Sequence, residues 1–349
     1  MLNLFRSKNP SCGLDLGSTW CKTVKLATSG KTLNLQCVAR MPWSEGESKD
    51  PGRKSQRLQD LWNHLGLKDK AVASSLAGHG IIVKKVQFRP GRGRDIKQEA
   101  LSKADQYIPF DLNDVCLDCH IPDQPSESQE QDIILVAGKK VLVRELMKII
   151  KHCGLKLSIV DVDAFALSNC FEYNYPDLTR DPVYLLDIGG QQSIFAVFLS
   201  NHPLFFREAP LGGRQLTEII AKNLKVNPCE AEKIKLAGPE NQGPETIQNI
   251  YRDCRNLMRS WASDIKRLMG LYQSSVPGGR QADVLFLSGG GSLFKGLEQV
   301  LEHELQVRIR HLDPWKKIQV RANDFDLKYL ETVRPQFAVS TGLALRGFI

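Results

Sequence analysis

The chain has 349 residues, 42% hydrophobic and 25% charged, with a formal net charge of +8. That balance suits a packed soluble protein of about two domains and excludes collagen-like and wholly disordered chains. No apolar run approaches the roughly 18 residues that would span a bilayer, and no block of consecutive basic residues marks a nucleic-acid-binding arm. The opening MLNLFRSKNP has no apolar signal core, which predicts a cytoplasmic chain. The densest basic cluster, PGRGRDIKQ at 90–98, reads as solvated surface.

In chain order, CGLDLGS, WCKTVKLAT and LNLQCVARMP read as strands joined by turns. A polar loop follows at 44–55, then a helix at 56–65, a strand at 71–76 and the strand IIVKKVQF. After Pro90 the texture changes. DIKQEALSKADQYI places apolar residues at 96, 100, 101, 104, 107 and 108, a helical period. A strand at 115–121, an acidic polar loop, the strand IILVAG and a helix at 141–153 complete an α-β-β-α package that reads as an inserted subdomain, about 90–154. The strand KLSIVDV and a helix from Ala164 lead to PVYLLDIGG, which starts a second round of strand, turn and strand. A mostly helical block covers 214–275; Ile247, Ile250, Tyr251, Cys254, Met258, Trp261, Ile265, Leu268 and Tyr272 share one broad face there, which reads as core packing. DVLFLSGGGSLFKGLEQVL reads as strand, glycine turn and immediate helix, and FAVSTGLALRGF as an apolar closing helix.

Nine scattered cysteines, an odd number, argue against a disulfide framework. CLDCH (Cys116, Cys119, His120) matches the haem-attachment spacing, but in a strand Cys116 and Cys119 point to opposite faces, which excludes that use.

Three glycine turns carry chemistry. In GLDLGSTWCKTVKL, a tight turn exposes the backbone N–H groups of Gly17, Ser18 and Thr19 as an anion nest, with two hydroxyls to donate. Asp15 can orient water on a Mg²⁺ ion, and Lys22 adds a point charge. LLDIGGQQS repeats the D-x-G spacing at Asp187 and Gly189, again after an apolar strand. In VLFLSGGGSLFKGL, Gly289, Gly290, Gly291 and Ser292 let backbone approach a flat ligand or phosphate. Neither the dinucleotide G-x-G-x-x-G nor the P-loop pattern is present. Asp163, at the start of a helix, is placed as an N-cap or as a candidate base.

This set, in this order, resembles the actin-like ATPase superfamily. The nearer resemblance is to the PilM family of type IV pilus assembly, carried by QYIPFDLNDV, ILVAGKKVLVRELMKIIKHCGL, VDVDAFALSN, LGGRQLTEIIAKNL, AEKIK and FAVSTGLALRGF. The resemblance implies an α/β chain of two tandem RNase H-like domains with an α+β subdomain inserted in the first. The first would span 1–185 and the second 186–334, with a helical part at about 212–275; residues 335–349 would return as a helix to the first domain. It implies ATP and Mg²⁺ as ligands, with Asp15 and Asp187 near the metal. Asp15, Gly17, Ser18, Thr19 and Lys22 match the first phosphate motif, and Asp187, Gly189 and Gly190 the second. Gly212, Gly213 and Gln215 match the turn that follows. Glu232 and Lys235, on one helix face, match the pair that reaches the nucleoside, and Gly289 to Ser292 the adenosine turn. The helices from Ala164 and Ala338 match two crossing hinge helices, with Gly342 and Ala344 among the small residues that permit close approach.

One departure stands out: Gln191 and Gln192 replace the small residue and threonine usual in the second hairpin, and Ile194 replaces a polar residue. Glutamine amides can donate to phosphate, so binding is expected with slow hydrolysis. The implied partner is the N-terminal cytoplasmic tail of a PilN-like inner-membrane protein, docked beside the inserted subdomain, which would hold the chain at the inner membrane. The alternative is an FtsA-like polymerising division protein.

Overall fold

The protein is described here from a computed structural model covering residues 10–44, 46–47, 50–89, 96–121, 131–178, 181–199, 202–239, 243–276 and 278–349. The opening MLNLF, the start of the basic cluster and most of the acidic loop lie outside these residues.

The chain runs through β1 (Cys12–Leu16), β2 (Trp20–Ser29), β3 (Thr32–Pro42), α1 (Pro51–His64), β4 (Ala71–Leu76), β5 (Ile81–Phe88) and α2 (Ile96–Ser102). It continues with β6 (Val115–His120), β7 (Gln131–Lys139), α3 (Lys140–His152), β8 (Lys156–Val162) and α4 (Asp163–Asn174). The second half comprises β9 (Val183–Ile188), β10 (Ser193–Leu199), β11 (His202–Ala209), α5 (Gly213–Leu224), α6 (Pro228–Ala237) and α7 (Pro244–Ser275). It closes with β12 (Val284–Ser288), α8 (Leu297–Leu305), β13 (Arg308–His311), α9 (Leu327–Val333) and α10 (Ala338–Leu345).

Two five-stranded sheets share one topology. Their orders are β3-β2-β1-β4-β8 and β11-β10-β9-β12-β13. In each, three antiparallel strands form a meander, and two further strands add in parallel to the first strand's free side. The D-x-G repeat is thus the sequence trace of a structural duplication. Each β1-like strand is covered on both faces, as parallel neighbours require. Cys12 and Leu14 pack with Leu58, Trp62, Leu146 and Ile150 of α1 and α3. In the second sheet, Tyr184, Leu186 and Ile188 face the apolar stripe of α7, including Trp261, Ile265 and Tyr272.

The opposite faces look toward one another, with α4 and α10 between them. Val183 and Leu185 pack on Leu167, Cys170 and Phe171 of α4. Gly13 faces α10 so closely that a Cβ on it would lie 2.0 Å from the Ser340 carbonyl oxygen. A Cβ on Gly342 would lie 1.7 Å from the Ala166 carbonyl oxygen. The crossing of α4 and α10 is therefore a backbone-to-backbone contact that only glycine allows. Alternation along β1 and β9 puts Asp15 and Asp187 on these same inner faces, at the strands' C-terminal ends.

A small antiparallel sheet, β5-β7-β6, sits on the first lobe. One face packs α2 through Val86, Ala100, Ile133 and Leu135. The other face, with Ile134 and Val136, joins the cluster of α4 and the second sheet. Cys116 lies on this second face and Cys119 on the first, as strand alternation predicts.

Four features differ from the sequence expectations. Helix α1 starts within the expected polar loop, because Asp50 accepts from Gly52 N (2.8 Å) and Arg53 N (3.1 Å) and Pro51 occupies the first helical turn. The small sheet reaches back to β5, before the change of texture at Pro90, while α3 buries Val143, Leu146, Ile149 and Ile150 and joins the first lobe's core through Leu146 and Ile150. No α-helix follows the third glycine turn at once: a 3-10 turn at Gly290–Leu293 intervenes, and α8 begins only after Gly296 at φ +88°. The edge strand β13 and the short α9, capped by Asp326, have no counterpart among the expected elements.

Candidate functional site

Between the sheets lies a cleft of ≈ 440 Å³. Asp15, Gly17, Ser18, Thr19 and Lys22 line one wall, and Asp187, Gly189, Gly190, Gln191 and Gln192 the other. Gly213, Glu232, Lys235, Gly289, Gly290 and Gly291 close one end. The two hairpins meet tip to tip, since a Cβ on Gly190 would lie 2.7 Å from Ser18 Oγ and from Thr19 Oγ1.

Sheet register explains the floor. Asp15 and Lys22 are direct cross-strand partners, and Lys22 Nζ donates to Asp15 Oδ2 at 2.6 Å. Asp187 is registered with Ser288 on the parallel strand β12, and Ser288 Oγ donates to Asp187 Oδ1 at 2.7 Å. Asp187's antiparallel partner is Ile194, so the second hairpin has no counterpart of Lys22. Asp163 opens α4 and accepts from Ser75 Oγ, while no side-chain cap bond forms at that helix start.

Three carboxylates thus surround one lysine. Burial pushes Asp163 up to about 8, helped by the charges of Asp15 and Asp187 and opposed by the Ser75 hydrogen bond and Lys22. Burial likewise pushes Asp187 up to about 6, against the Ser288 bond and Lys22. Burial would lower the Lys22 ammonium, but the charge and hydrogen bond of Asp15, with Asp187 behind, raise it overall. Among the described residues no three acidic, histidine or cysteine side chains converge to ligate one metal directly. The floor suits a dication held largely through water, the habit of Mg²⁺.

At the far end, Lys235 Nζ bonds Glu232 (2.7 Å), Thr217 Oγ1 (2.9 Å) and the Gly213 carbonyl (3.1 Å), and Thr217 bonds Glu232. This network fixes α6 on α5. Gly289, at φ +82°, passes so near β9 that a Cβ would lie 2.3 Å from the Ile188 carbonyl oxygen. Three sequence candidates stand behind the wall in supporting positions. The Gln215 side-chain carbonyl oxygen accepts from Gly212 N (3.3 Å) and Trp261 Nε1 (2.8 Å), so Gly212 and Gln215 form the α5 cap. Ser292 Oγ donates to the Gly289 carbonyl (2.7 Å) within the turn.

Sequence reasoning did not find Ser75, Ser288 or Thr217, nor the rim residues Trp20, Arg40 and Gln336. Arg40 lies over the Trp20 ring (4.8 Å to its centroid) and donates to Gln336 Oε1 at 2.9 Å. Lys54 and Glu145 also line the cleft, where it runs on toward α1 and α3 beside Leu142, Leu146 and Ile149.

The sequence profile described as "Type IV pilus assembly protein PilM" matches residues 13–348. The chain belongs to the PilM family. It is similar to a solved PilM-PilN type IV pilus biogenesis complex, with a TM-score of 0.86, 24% identity, and coverage of 98% of this chain and 100% of that one. The ethanolamine utilization protein EutJ from Carboxydothermus hydrogenoformans shares the fold at a TM-score of 0.55 and 15% identity, over 99% of this chain and 93% of that one. MreB5 of Spiroplasma citri, solved bound to AMPPNP, shares it at a TM-score of 0.50 and 12% identity, over 97% and 95%. The PilM fold is thus the actin-like ATPase fold, with two tandem domains. The cell division protein FtsA of Bacillus subtilis (strain 168) is 22% identical over 234 residues, 60% of this chain. The chain covers about half (48%) of that relative's length. Among the described residues no helix is long and apolar enough to cross a membrane.

Proposed function

We propose that this PilM-family chain is a nucleotide-binding scaffold of the type IV pilus assembly machinery. It would bind Mg·ATP between its two sheets and dock the N-terminal cytoplasmic tail of a PilN-like inner-membrane protein. The observation that carries the reading is the pair of duplicated D-x-G hairpins facing each other across one cleft, Asp15 with Lys22 on one side and Asp187 with Ser288 on the other. The residues present fit the ligand. A glycine cradle leaves backbone bare, hydroxyls of Ser18 and Thr19 face it, and the excess of carboxylate over lysine favours a phosphate that arrives with a dication.

In this reading Mg²⁺ supplies neutralisation of the phosphate charge. Asp15 and Asp187 orient its water shell, Lys22 and the Gly17–Thr19 amides hold phosphate, and Glu232 and Lys235 flank the nucleoside. The hairpin tips touch, so a phosphate between them must part them; the nucleotide thereby sets the angle between lobes. We divide the chain near residue 185, with the inserted part on the first lobe and residues 335–349 returning to it. The extension of the cleft toward Leu142, Glu145 and Ile149 supports a tail-docking groove beside the inserted part. A PilN-like partner would hold the chain at the inner membrane.

Calorimetry with millimolar Mg·ATP tests the site. The wild type should bind, and Asp15→Ala should weaken binding at least about tenfold, the scale of one charge-assisted interaction. No heat and no thermal shift in the wild type would overturn the nucleotide reading. Recovery of a PilN-like partner from membrane extract, with and without Mg·ATP, tests the docking half.

Hydrolysis is expected to be slow, well under the 1 s⁻¹ that marks the low end of ordinary turnover, roughly 1–10³ s⁻¹. In-line attack needs a placed water and stabilised charge, and no hydroxyl stands at Gln191 or Gln192. Single-turnover rates of the wild type and Gln191→Gly/Gln192→Thr decide the point. A fast wild type that collapses in the double variant would make the glutamines catalytic.

A further inference from the structure

Gln192 does not turn into the hairpin tip. It reaches across the mouth of the cleft to the loop between β4 and β5, residues 77–80, where its Nε2 lies 3.4 Å from His79 Nδ1. Glu208, on β11, meets the same loop: Gly78 N donates to its Oε1 at 2.8 Å, and His79 Nδ1 stands 3.8 Å from its Oε2. Gly78 has φ +92°, a turn that glycine permits, and Gln192 Oε1 lies at van der Waals distance from where a Cβ there would stand.

The loop is gripped from the other side as well. A Cβ on Gly80 would lie 2.4 Å from Leu142 Cδ1 of α3, and Lys139 N donates to the Gly80 carbonyl at 3.0 Å. Ile81 N then bonds the Gly78 carbonyl (2.9 Å) and starts β5, the edge strand of the small sheet. At its origin Gln192 is tied to the second hairpin, since Gly189 N donates to the Gln192 carbonyl at 3.1 Å. Two routes therefore lead from the second sheet to the loop, one from Gly189 through Gln192 to His79 and one from Ile194 through its strand partner Glu208 to Gly78, and the loop leads on to β5 and α3.

We propose that Gln192 and Glu208 with Gly78 and His79 form a cross-cleft clasp that couples the second hairpin to the small sheet. The proposal deepens the function above and rests on it, since the hairpin's displacement is what the clasp transmits. Parting the hairpin tips moves Gly189 and Gly190, and Gln192 and the β11 strand move with them. The loop must follow or the contacts must break. Either event changes the edge at which the small sheet joins the first lobe. Gln192, which stands where a threonine is usual, acquires a purpose here: it is long enough to bridge the lobes, and a threonine is not.

Hydrogen–deuterium exchange on the full chain, with and without Mg·ATP, tests the clasp. In the wild type, nucleotide should change exchange in residues 77–88 about tenfold, within the range of ordinary allosteric coupling, together with a change at residues 15–22. In Glu208→Ala/His79→Ala the change at 15–22 should persist and that at 77–88 should disappear. Glu208→Gln keeps an acceptor for Gly78 N–H and should retain the response, which separates coupling from damage to the fold. These side chains are largely at the surface, so apparent thermal midpoints within about 2 °C of the wild type are expected. A response at 77–88 that survives in the double variant overturns the clasp and leaves the nucleotide site standing. Absence of any nucleotide signal in the wild type overturns both.

Discussion

Gly342→Ala is expected to lower the stability of the fold by about 3 kcal/mol or more, the upper range for overpacking a close-packed interior. The added Cβ would sit 1.7 Å from the Ala166 carbonyl oxygen and 2.5 Å from its carbon. Both belong to the backbone of α4, so no rotamer change relieves the clash; the helices must move apart. Separation is costly in every direction, because α10 also rests on β1, where Gly13 meets the Ser340 carbonyl oxygen and Ala344 N. Leu343, Ala344 and Leu345 are fully buried on the other sides. Thermal unfolding followed by circular dichroism should show the apparent midpoint falling by about 4 °C or more. Gly270→Ala is the control. That residue lies inside α7 with nothing within 4 Å of an added methyl, so alanine's helix propensity should raise stability by up to about 1 kcal/mol. A Gly342→Ala midpoint as high as the wild type's would refute the backbone contact between α4 and α10.

Much of this arrangement is legible in the sequence where the signal is local. The D-x-G hairpins are set by turns of a few residues, and the Asp15–Lys22 pair follows from antiparallel register across one of those turns. The stripe of α7 follows from helical period alone. What stays hidden depends on strands that are distant in the chain. Ser288 reaches Asp187 only because β12 adds in parallel beside β9, and Ser75 reaches Asp163 only because α4 starts beside the end of β4. Neither pairing has a sequence period to betray it. The true start of α1 is masked because Asp50 and Pro51 sit among loop-like residues, where a capping aspartate looks like a turn residue. The direction of Gln192 is unreadable for a different reason. A side chain two residues past a glycine turn can point to either wall, and its contact is with His79, on a loop more than a hundred residues away in the chain.

The pH dependence of stability should differ sharply between the wild type and Asp163→Asn. Asp163 is raised from 3.8 to about 8, first by burial and then by Asp15 and Asp187. Between these values the folded protein keeps a proton that the unfolded chain has lost, so the native state binds more protons and stability falls as pH rises. The contribution is fully present below pH 4 and gone above about pH 8. Over that window one such group changes stability by a few kcal/mol, at somewhat over 1 kcal/mol for each pH unit. Asparagine resembles the protonated acid in shape and can still bond Ser75, but it cannot ionise. The variant should therefore match the wild type near pH 4 and exceed it increasingly up to about pH 8, above which the gap holds steady, with the variant's apparent midpoint higher by about 5 °C or more. Asp187, raised to about 6, adds a smaller fall between pH 4 and 6 that both proteins share. A dication in the cleft favours the ionised carboxylates, so Mg·ATP binding by the wild type at pH 7 should release protons, and binding by Asp163→Asn should release fewer. Calorimetry in two buffers of different ionisation enthalpy reads that difference directly. Equal midpoints of the two proteins at pH 8.5, and equal proton release, would show that Asp163 is already ionised in the cleft and that the three carboxylates do not oppose one another as their burial requires.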